Sequence, residues 1–308
     1  MITPPLSPYG SFEGTLFQYH RNLVAFESFS CNDIPTKKLI LVGGLSDGLI
    51  PTPYTSNLQT ICDEHNWSLV QPILSSSYLG FGNGSLTRDT EEIAKLISYL
   101  QGHRGATQFA MVGHSTGCQN FVHFLKHCSD ESILDKIKLV VLQAPVSDRE
   151  GPMTESNYEL NLSTATKMVE AGDGEEMMPR HSFWAPITAS RFLALQSVGG
   201  DDDFFSSDFT DEELQERLGH ISKLHKSRNL KLLLAYSGKD EYVPDHVDKK
   251  LLVERMCNAM NFYCDPLDAT QHLAVPLYLE GGNHNLSETT ADKLRFVDEI
   301  GRIMSSII

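Results

Sequence analysis

Val112-Gly113-His114-Ser115-Thr116-Gly117 is the stretch on which the reading of this chain turns. An apolar run, Phe109-Ala110-Met111-Val112, leads into Gly113-x-Ser115-x-Gly117, and helical periodicity follows from Cys118 to Cys128. Strand, sharp turn and helix in that order are the setting in which this pentapeptide lifts a serine hydroxyl off a strand end. The turn strains the serine backbone, so the residues two places away must be small, as Gly113 and Gly117 are. In a chain of this length the pattern also arises by chance on the order of one time in ten. A second match exists, Gly44-Leu45-Ser46-Asp47-Gly48. Pro51 and Pro53 follow that one closely, and Gly48-Leu49-Ile50 does not start a helix, so Ser46 belongs to an extended loop. Phe121, Val122 and Leu125 line one face after Ser115. Ser115 is therefore the candidate nucleophile.

Outward from this turn, strands and helices alternate. Residues 14–29 read as an edge hairpin, 37–44 as a strand ending in two glycines, 55–65 as a helix and 68–74 as a strand. After the loop Gly80-Phe81-Gly82-Asn83-Gly84 a helix is expected, with Asp89 and Glu92 as a variant capping box and Ile93, Leu96, Ile97 and Leu100 on one face. Beyond the Ser115 helix, Leu139-Val140-Val141-Leu142 is a buried strand. The alternation then breaks and resumes near residue 230, with a strand at 231–236, a helix at 247–260, a strand at 275–279 and a helix at 288–304. The pattern predicts a mostly parallel sheet covered by helices on both faces. Residues 1–148 and 229–308 would form this core. Residues 149–228, with helix-like stretches at 189–195 and 211–225, would be a mainly helical cap above the strand ends, inserted before the strand at 231–236. Asp201-Asp202-Asp203 reads as a solvated loop of that cap.

A serine nucleophile needs a base and an orienting acid, each just past a strand, in the order serine, acid, histidine. Asp240 stands four residues past the 231–236 strand, in Gly238-Lys239-Asp240-Glu241-Tyr242-Val243-Pro244. His284 follows the last strand, in Gly281-Gly282-Asn283-His284. A neutral imidazole can take the Ser115 proton, and a carboxylate can hold its tautomer. Glu241, Asp245 and Asp148 are alternative acids. Backbone N–H groups of Leu45 and Thr116 are the candidate oxyanion donors. Ser46, Asp47, His114, Arg180, Trp184 and Arg191 are candidate substrate contacts, with packing or surface roles open to each. His181 beside Arg180 has the same two readings.

Other features exclude more than they suggest. At 308 residues, with 41% hydrophobic and 21% charged residues, the composition is that of a globular enzyme. A net charge of −15 without a basic stripe argues against nucleic-acid or anionic-membrane partners. Residues 1–12 lack both the basic and the apolar regions of a signal peptide, and no apolar run reaches 18 residues. The six cysteines lack Cys-x-x-Cys spacing and read as reduced thiols of a cytoplasmic protein. His123 and His127 sit at i, i+4 but lack the companion glutamate of a zinc helix, and Gly80-x-Gly82-x-Gly84 lacks the register of a dinucleotide fingerprint. No metal and no cofactor are expected, and the chain leaves its oligomeric state open.

On Gly113-His114-Ser115-Thr116-Gly117, Gly238-Lys239-Asp240 and Gly282-Asn283-His284, the chain resembles the α/β-hydrolase superfamily over its whole length. Val42-Gly43-Gly44-Leu45-Ser46-Asp47-Gly48 and the stretches at 178–181 and 186–192 are similar to a fungal and plant branch of it. That branch includes esterases that cleave fusarinine-type hydroxamate siderophores inside the cell. The resemblance implies an α/β-hydrolase fold and a serine esterase acting on a small-molecule ester, with a siderophore as the most concrete substrate. A general carboxylesterase or thioesterase, or a non-catalytic binder on the same fold, are the alternatives. The Gly43-Gly44-Leu45 loop departs from the His-Gly start of common esterases, which leaves the second oxyanion donor open.

Overall fold

The computed structural model describes residues 9–31, 33–224, 229–265 and 272–307. The readings for residues 1–8, and those for 225–228 at the end of the expected cap and its second helix, lie outside the described residues. Among the described residues, no helix is long and apolar enough to cross a membrane.

Eight strands form one sheet: β1 (Gly14–His20), β2 (Leu23–Ser28), β3 (Lys37–Val42), β4 (Trp67–Pro72), β5 (Gln108–His114), β6 (Ile137–Gln143), β7 (Lys231–Ser237) and β8 (Ala274–Leu279). Their order is β1-β2-β4-β3-β5-β6-β7-β8. β1 pairs with β2, and β2 with β4, antiparallel; every later pairing is parallel. The expected edge hairpin is therefore present, and so is the mostly parallel sheet.

The inner strands are mostly apolar because both faces are covered, with Lys38 of β3, Ser68 and Gln71 of β4 and Gln143 of β6 as buried polar exceptions. Successive side chains alternate between faces. Ile40, Val42, Met111, Val140, Leu142, Leu232 and Leu234 join one core cluster. Leu39, Leu41, Ala110, Val112, Leu139, Val141, Leu233 and Ala235 join the other. Helices with both ends among the described residues include α1 (Thr55–Glu64), α2 (Leu86–His103), α3 (Thr116–His127), α4 (Glu131–Leu134), α5 (Tyr158–Glu170), α6 (Ala189–Gln196), α7 (Asp211–Leu218), α8 (Lys249–Met260) and α9 (Thr290–Ser305). α2, α3, α7 and α8 supply residues to the first cluster, and α1 and α9 to the second.

Three local readings differ from the structure. α2 begins at Leu86 with Ser85 as its cap, whose side chain accepts the Arg88 N–H, so Asp89 and Glu92 form no capping box. Both carboxylates instead face inward, Asp89 accepting from Ser76 and Asn120 and Glu92 from the Ser75 N–H. Helix α5 was not expected, because its half-buried threonines and the outward Leu160 blur the apolar stripe, leaving Tyr158, Asn161 and Ala165 buried. Asp201-Asp202-Asp203 is not a solvated run. Asp202 and Asp203 are buried, paired with Arg191 at 2.5 Å and Arg149 at 2.7 Å. Buried carboxylates are tolerated there because each has a guanidinium partner.

A second buried ionic cluster ties the antiparallel edge to the core. Lys38 and Glu27 are fully buried and 2.5 Å apart, and Ser68 and Arg104 also donate to Glu27. Burial alone would push the Glu27 carboxyl up. Hydrogen bonds from Lys38 and Ser68 outweigh it and hold the carboxyl below the usual range. Glu27→Gln leaves the Lys38 ammonium buried without its counter-charge. It is expected to cost about 3–5 kcal/mol in denaturant unfolding.

Candidate active site

Ser115 sits between β5 and α3 with φ 53° and ψ −123°, a backbone region that costs a residue with a Cβ of order 1–3 kcal/mol. The close packing of the turn explains its glycines. A Cβ on Gly113 would come within 2.5 Å of the Gly117 carbonyl, and one on Gly117 would press still closer on that of Val42. The loop after β3 lies directly beside the nucleophile, since a Cβ on Gly44 would meet Ser115 Cβ at 2.8 Å.

That loop is braced by its own acid. Asp47 accepts the Gly44 N–H at 2.7 Å, and its own N–H donates to the Gly44 carbonyl at 3.0 Å. Burial pushes the Asp47 carboxyl up, against the Gly44 hydrogen bond. With the Gly44 donor engaged, Leu45 N–H is the next along the loop. Thr116 is the first residue of α3, where backbone N–H groups have no intrahelical acceptor. Ser46 has φ 68° and lies in the turn, not at the start of a helix.

Asp240 follows β7 and His284 follows β8. Both are buried, and the imidazole Nδ1 lies 2.8 Å from Asp240 Oδ2 and 3.0 Å from Oδ1. An ionised carboxylate accepts only, so Nδ1 donates in this pair, and in a neutral imidazole Nε2 is left as the acceptor. The alternative acids are placed elsewhere. Glu241 accepts the His284 backbone N–H at 2.9 Å, and Asp148 accepts from Gln119 at 2.8 Å. No bond to the imidazole is formed by Asp245.

Ser115 and His284 open on one cleft of about 1140 Å³. Leu45, Ser46, Asp47, His114, His181 and Trp184 line it as well. Arg180 and Arg191 do not: Arg180 donates to the Phe183 carbonyl, while Arg191 is buried on Asp202 and the Phe81 carbonyl. Arg191 instead faces a small polar cavity of about 30 Å³ behind the loop, shared with Thr116, Asp89 and Asn120. That is room for a single water. His114 is buried against His284, ring centroids 5.0 Å apart. Burial, then the neighbouring His284, lowers its pKa to about 3, so it stays neutral.

Sequence reasoning missed Tyr242, whose exposed ring lies 4.6 Å from that of His284, and Gln143 at the end of β6. Tyr242 carried a signal, being two residues past Asp240. Gln143 carried none, because a glutamine closing an apolar strand has no motif. Among the described residues no group of three or more His, Cys, Asp or Glu could hold a metal ion. His123 and His127 stack at 4.2 Å, and His123 Nδ1 bonds Thr90.

Asp148 also lines the cleft. Burial first, then the neighbouring Asp202 carboxylate, pushes it up to about 7. A raised folded-state value means that the proton on Asp148 stabilises the fold below that range and that this contribution is lost as pH rises through about 7. Asp148→Asn is therefore expected to melt above the parent by a few degrees at about pH 8 and by less at about pH 5, read by differential scanning fluorimetry.

A parallel sheet with a serine turn after its central strand, and a His–Asp pair past its last two strands, defines an α/β hydrolase fold. The chain belongs to the family described as "Protein of unknown function (DUF1749)", whose model matches residues 4–303. It is 34% identical over 298 residues to the UPF0613 protein PB24D3.06c of Schizosaccharomyces pombe, covering 90% of this chain and 91% of that one. It is 32% identical over 302 residues to the fusarinine C esterase sidJ of Aspergillus fumigatus, covering 82% and 84%. Among solved structures, the siderophore hydrolase EstB from Aspergillus fumigatus superposes with a TM-score of 0.78 at 28% identity, covering 98% of this chain and 99% of that one.

Proposed function

We propose that this chain is a serine esterase in which Ser115 is the nucleophile, His284 the base and Asp240 the residue that orients it. The observation that carries the reading is the His284–Asp240 pair opening on the same cleft as a serine held in a strained turn. Ser115 Oγ attacks the ester carbonyl carbon as His284 Nε2 takes its proton. Leu45 and Thr116 N–H groups receive the negative oxygen. The intermediate collapses, the alcohol leaves with the proton from His284, and the acyl group stays on Ser115. Water, activated by the same imidazole, then releases the acid. This chemistry needs no cofactor.

The substrate we propose is a hydroxamate siderophore ester of the fusarinine type. Similarity to a fusarinine C esterase and a siderophore hydrolase supports it. The cleft is also above the roughly 300–1,000 Å³ of sites for drug-sized ligands. Among the described residues it is lined by Asp47, Asp148, Glu155 and Glu241 without a lysine or arginine, which suits a neutral or amine-bearing ester better than an acidic one. We further propose that α5, α6 and their loops act as a lid. Ala165, Met178, Ile187, Ala189, Phe192 and Leu195 pack in a small cluster of their own. Phe204, Phe205, Phe209, Leu214 and Leu218 join the main core instead, so the proposed lid is shorter than the expected insertion and runs from residue 149 to 203. A cytoplasmic place of action belongs to the same proposal.

The test is incubation of the purified chain with iron-free and iron-loaded fusarinine C, followed by mass spectrometry. Linear products are expected, with one water gained in total for each ester bond cut. Intact siderophore in both forms, beside brisk cleavage of p-nitrophenyl butyrate, would move the reading to a general carboxylesterase.

A further inference from the structure

His284 is held from three sides. Asp240 takes its ring and Glu241 accepts its backbone N–H, while its carbonyl accepts the Gln143 side-chain amide at 2.9 Å. Gln143 is fully buried at the end of β6, paired with His114 of β5 on one side and Ala235 of β7 on the other. Its Oε1 accepts the Tyr54 hydroxyl at 2.9 Å and the His114 Nδ1–H at 2.6 Å. The amide has one workable orientation. A carbonyl can only accept, so Nε2 faces His284 and Oε1 is left for the two donors. The backbone of the same residue reaches the nucleophile, since the Ser115 N–H donates to the Gln143 carbonyl at 3.0 Å.

We infer that Gln143 is a positioning residue, tying the backbones of Ser115 and His284 to one strand end and so setting their separation. This rests on reading Ser115 and His284 as nucleophile and base. Tyr54 and His114 act as struts: by filling both acceptor positions of Oε1 they stop the amide from turning. The Tyr54 ring is itself wedged edge-on against Phe296, 5.0 Å between centroids. Gln143 touches no reacting atom in this scheme. Its effect comes through geometry, where a displacement of about 1 Å at a reacting pair costs on the order of 100-fold in rate.

The experiment compares the parent with Gln143→Met and Gln143→Asn in three readouts: kcat and KM on p-nitrophenyl acetate, the rate of fluorophosphonate labelling, and the folded fraction by circular dichroism. The expected result is a fall of about 10–100-fold in kcat and labelling rate per folded molecule, with KM within about twofold. Labelling of Gln143→Met at the parent rate, or a loss that merely follows its unfolded fraction, overturns the inference. Should the methionine variant not fold, Gln143→Asn decides. Its amide keeps the polarity but is a methylene short of His284, and parent-like kcat in it is equally contrary. If the parent itself is not labelled at Ser115, the nucleophile assignment fails first; if the parent is labelled and both variants match it, only the role of Gln143 fails.

Discussion

Ser115→Ala is expected to lower kcat on any ester that the enzyme turns over by about 10⁵–10⁶-fold while leaving the fold intact. The size of the effect follows from removing the atom that forms the acyl-enzyme. Alanine keeps the Cβ and the strained φ, and Ser115 Oγ supplies no core packing in a residue that is only half-buried. The thermal midpoint should therefore hold within about 2 °C. Stopped assays on p-nitrophenyl butyrate at high enzyme concentration measure the residual rate. A variant that keeps more than about a hundredth of the parent kcat would remove Ser115 from the chemistry.

Asp240→Asn is the second large effect, a fall of about 10⁴-fold in kcat with little change in KM. Asparagine fits the space but presents an amide that donates to Nδ1. The imidazole proton is then driven to Nε2, the nitrogen that must be free to accept from Ser115. Glu241→Gln removes no such constraint, because among the described residues Glu241 bonds only the backbone N–H of His284. Its loss should be no more than about tenfold. Parallel determination of kcat for the two variants separates the acids, and equal losses would contradict the assignment of Asp240.

The central sheet was legible because buried parallel strands leave unbroken apolar runs: 39–42, 109–112, 139–142 and 232–236 need no partner information to be recognised. The Ser115 turn was legible for a stronger reason, since two glycines are forced by carbonyls closer than any Cβ tolerates. Chain order and strand ends alone single out Asp240 and His284, and the fold brings the two side chains within hydrogen-bond distance.

What escaped was decided by tertiary partners. Asp202 and Asp203 look like solvent residues until Arg191 and Arg149 are brought to them from outside their own loop. Asp89 and Glu92 look like helix-cap residues, yet the serines of the preceding loop, Ser75 and Ser76, draw them inward and the helix starts earlier. Arg191 looked available to a substrate, and its pairing with Asp202 turns it toward the back of the Gly44 loop. Gln143 lacks a local signature because its partners, Tyr54, His114 and His284, come from three separate segments. Polar residues are the hardest to place from sequence for this reason: their cost when buried is met by groups that only the fold assembles.

The claim beneath all of this is that one of two Gly-x-Ser-x-Gly matches carries the nucleophile and the other shapes the oxyanion loop. Labelling the purified chain with a fluorophosphonate, digesting it and mapping the adduct by tandem mass spectrometry tests that most directly. The account predicts a single adduct on Ser115, retained in Ser46→Ala and lost in Ser115→Ala. An adduct on Ser46, or no adduct on a folded chain, would contradict it.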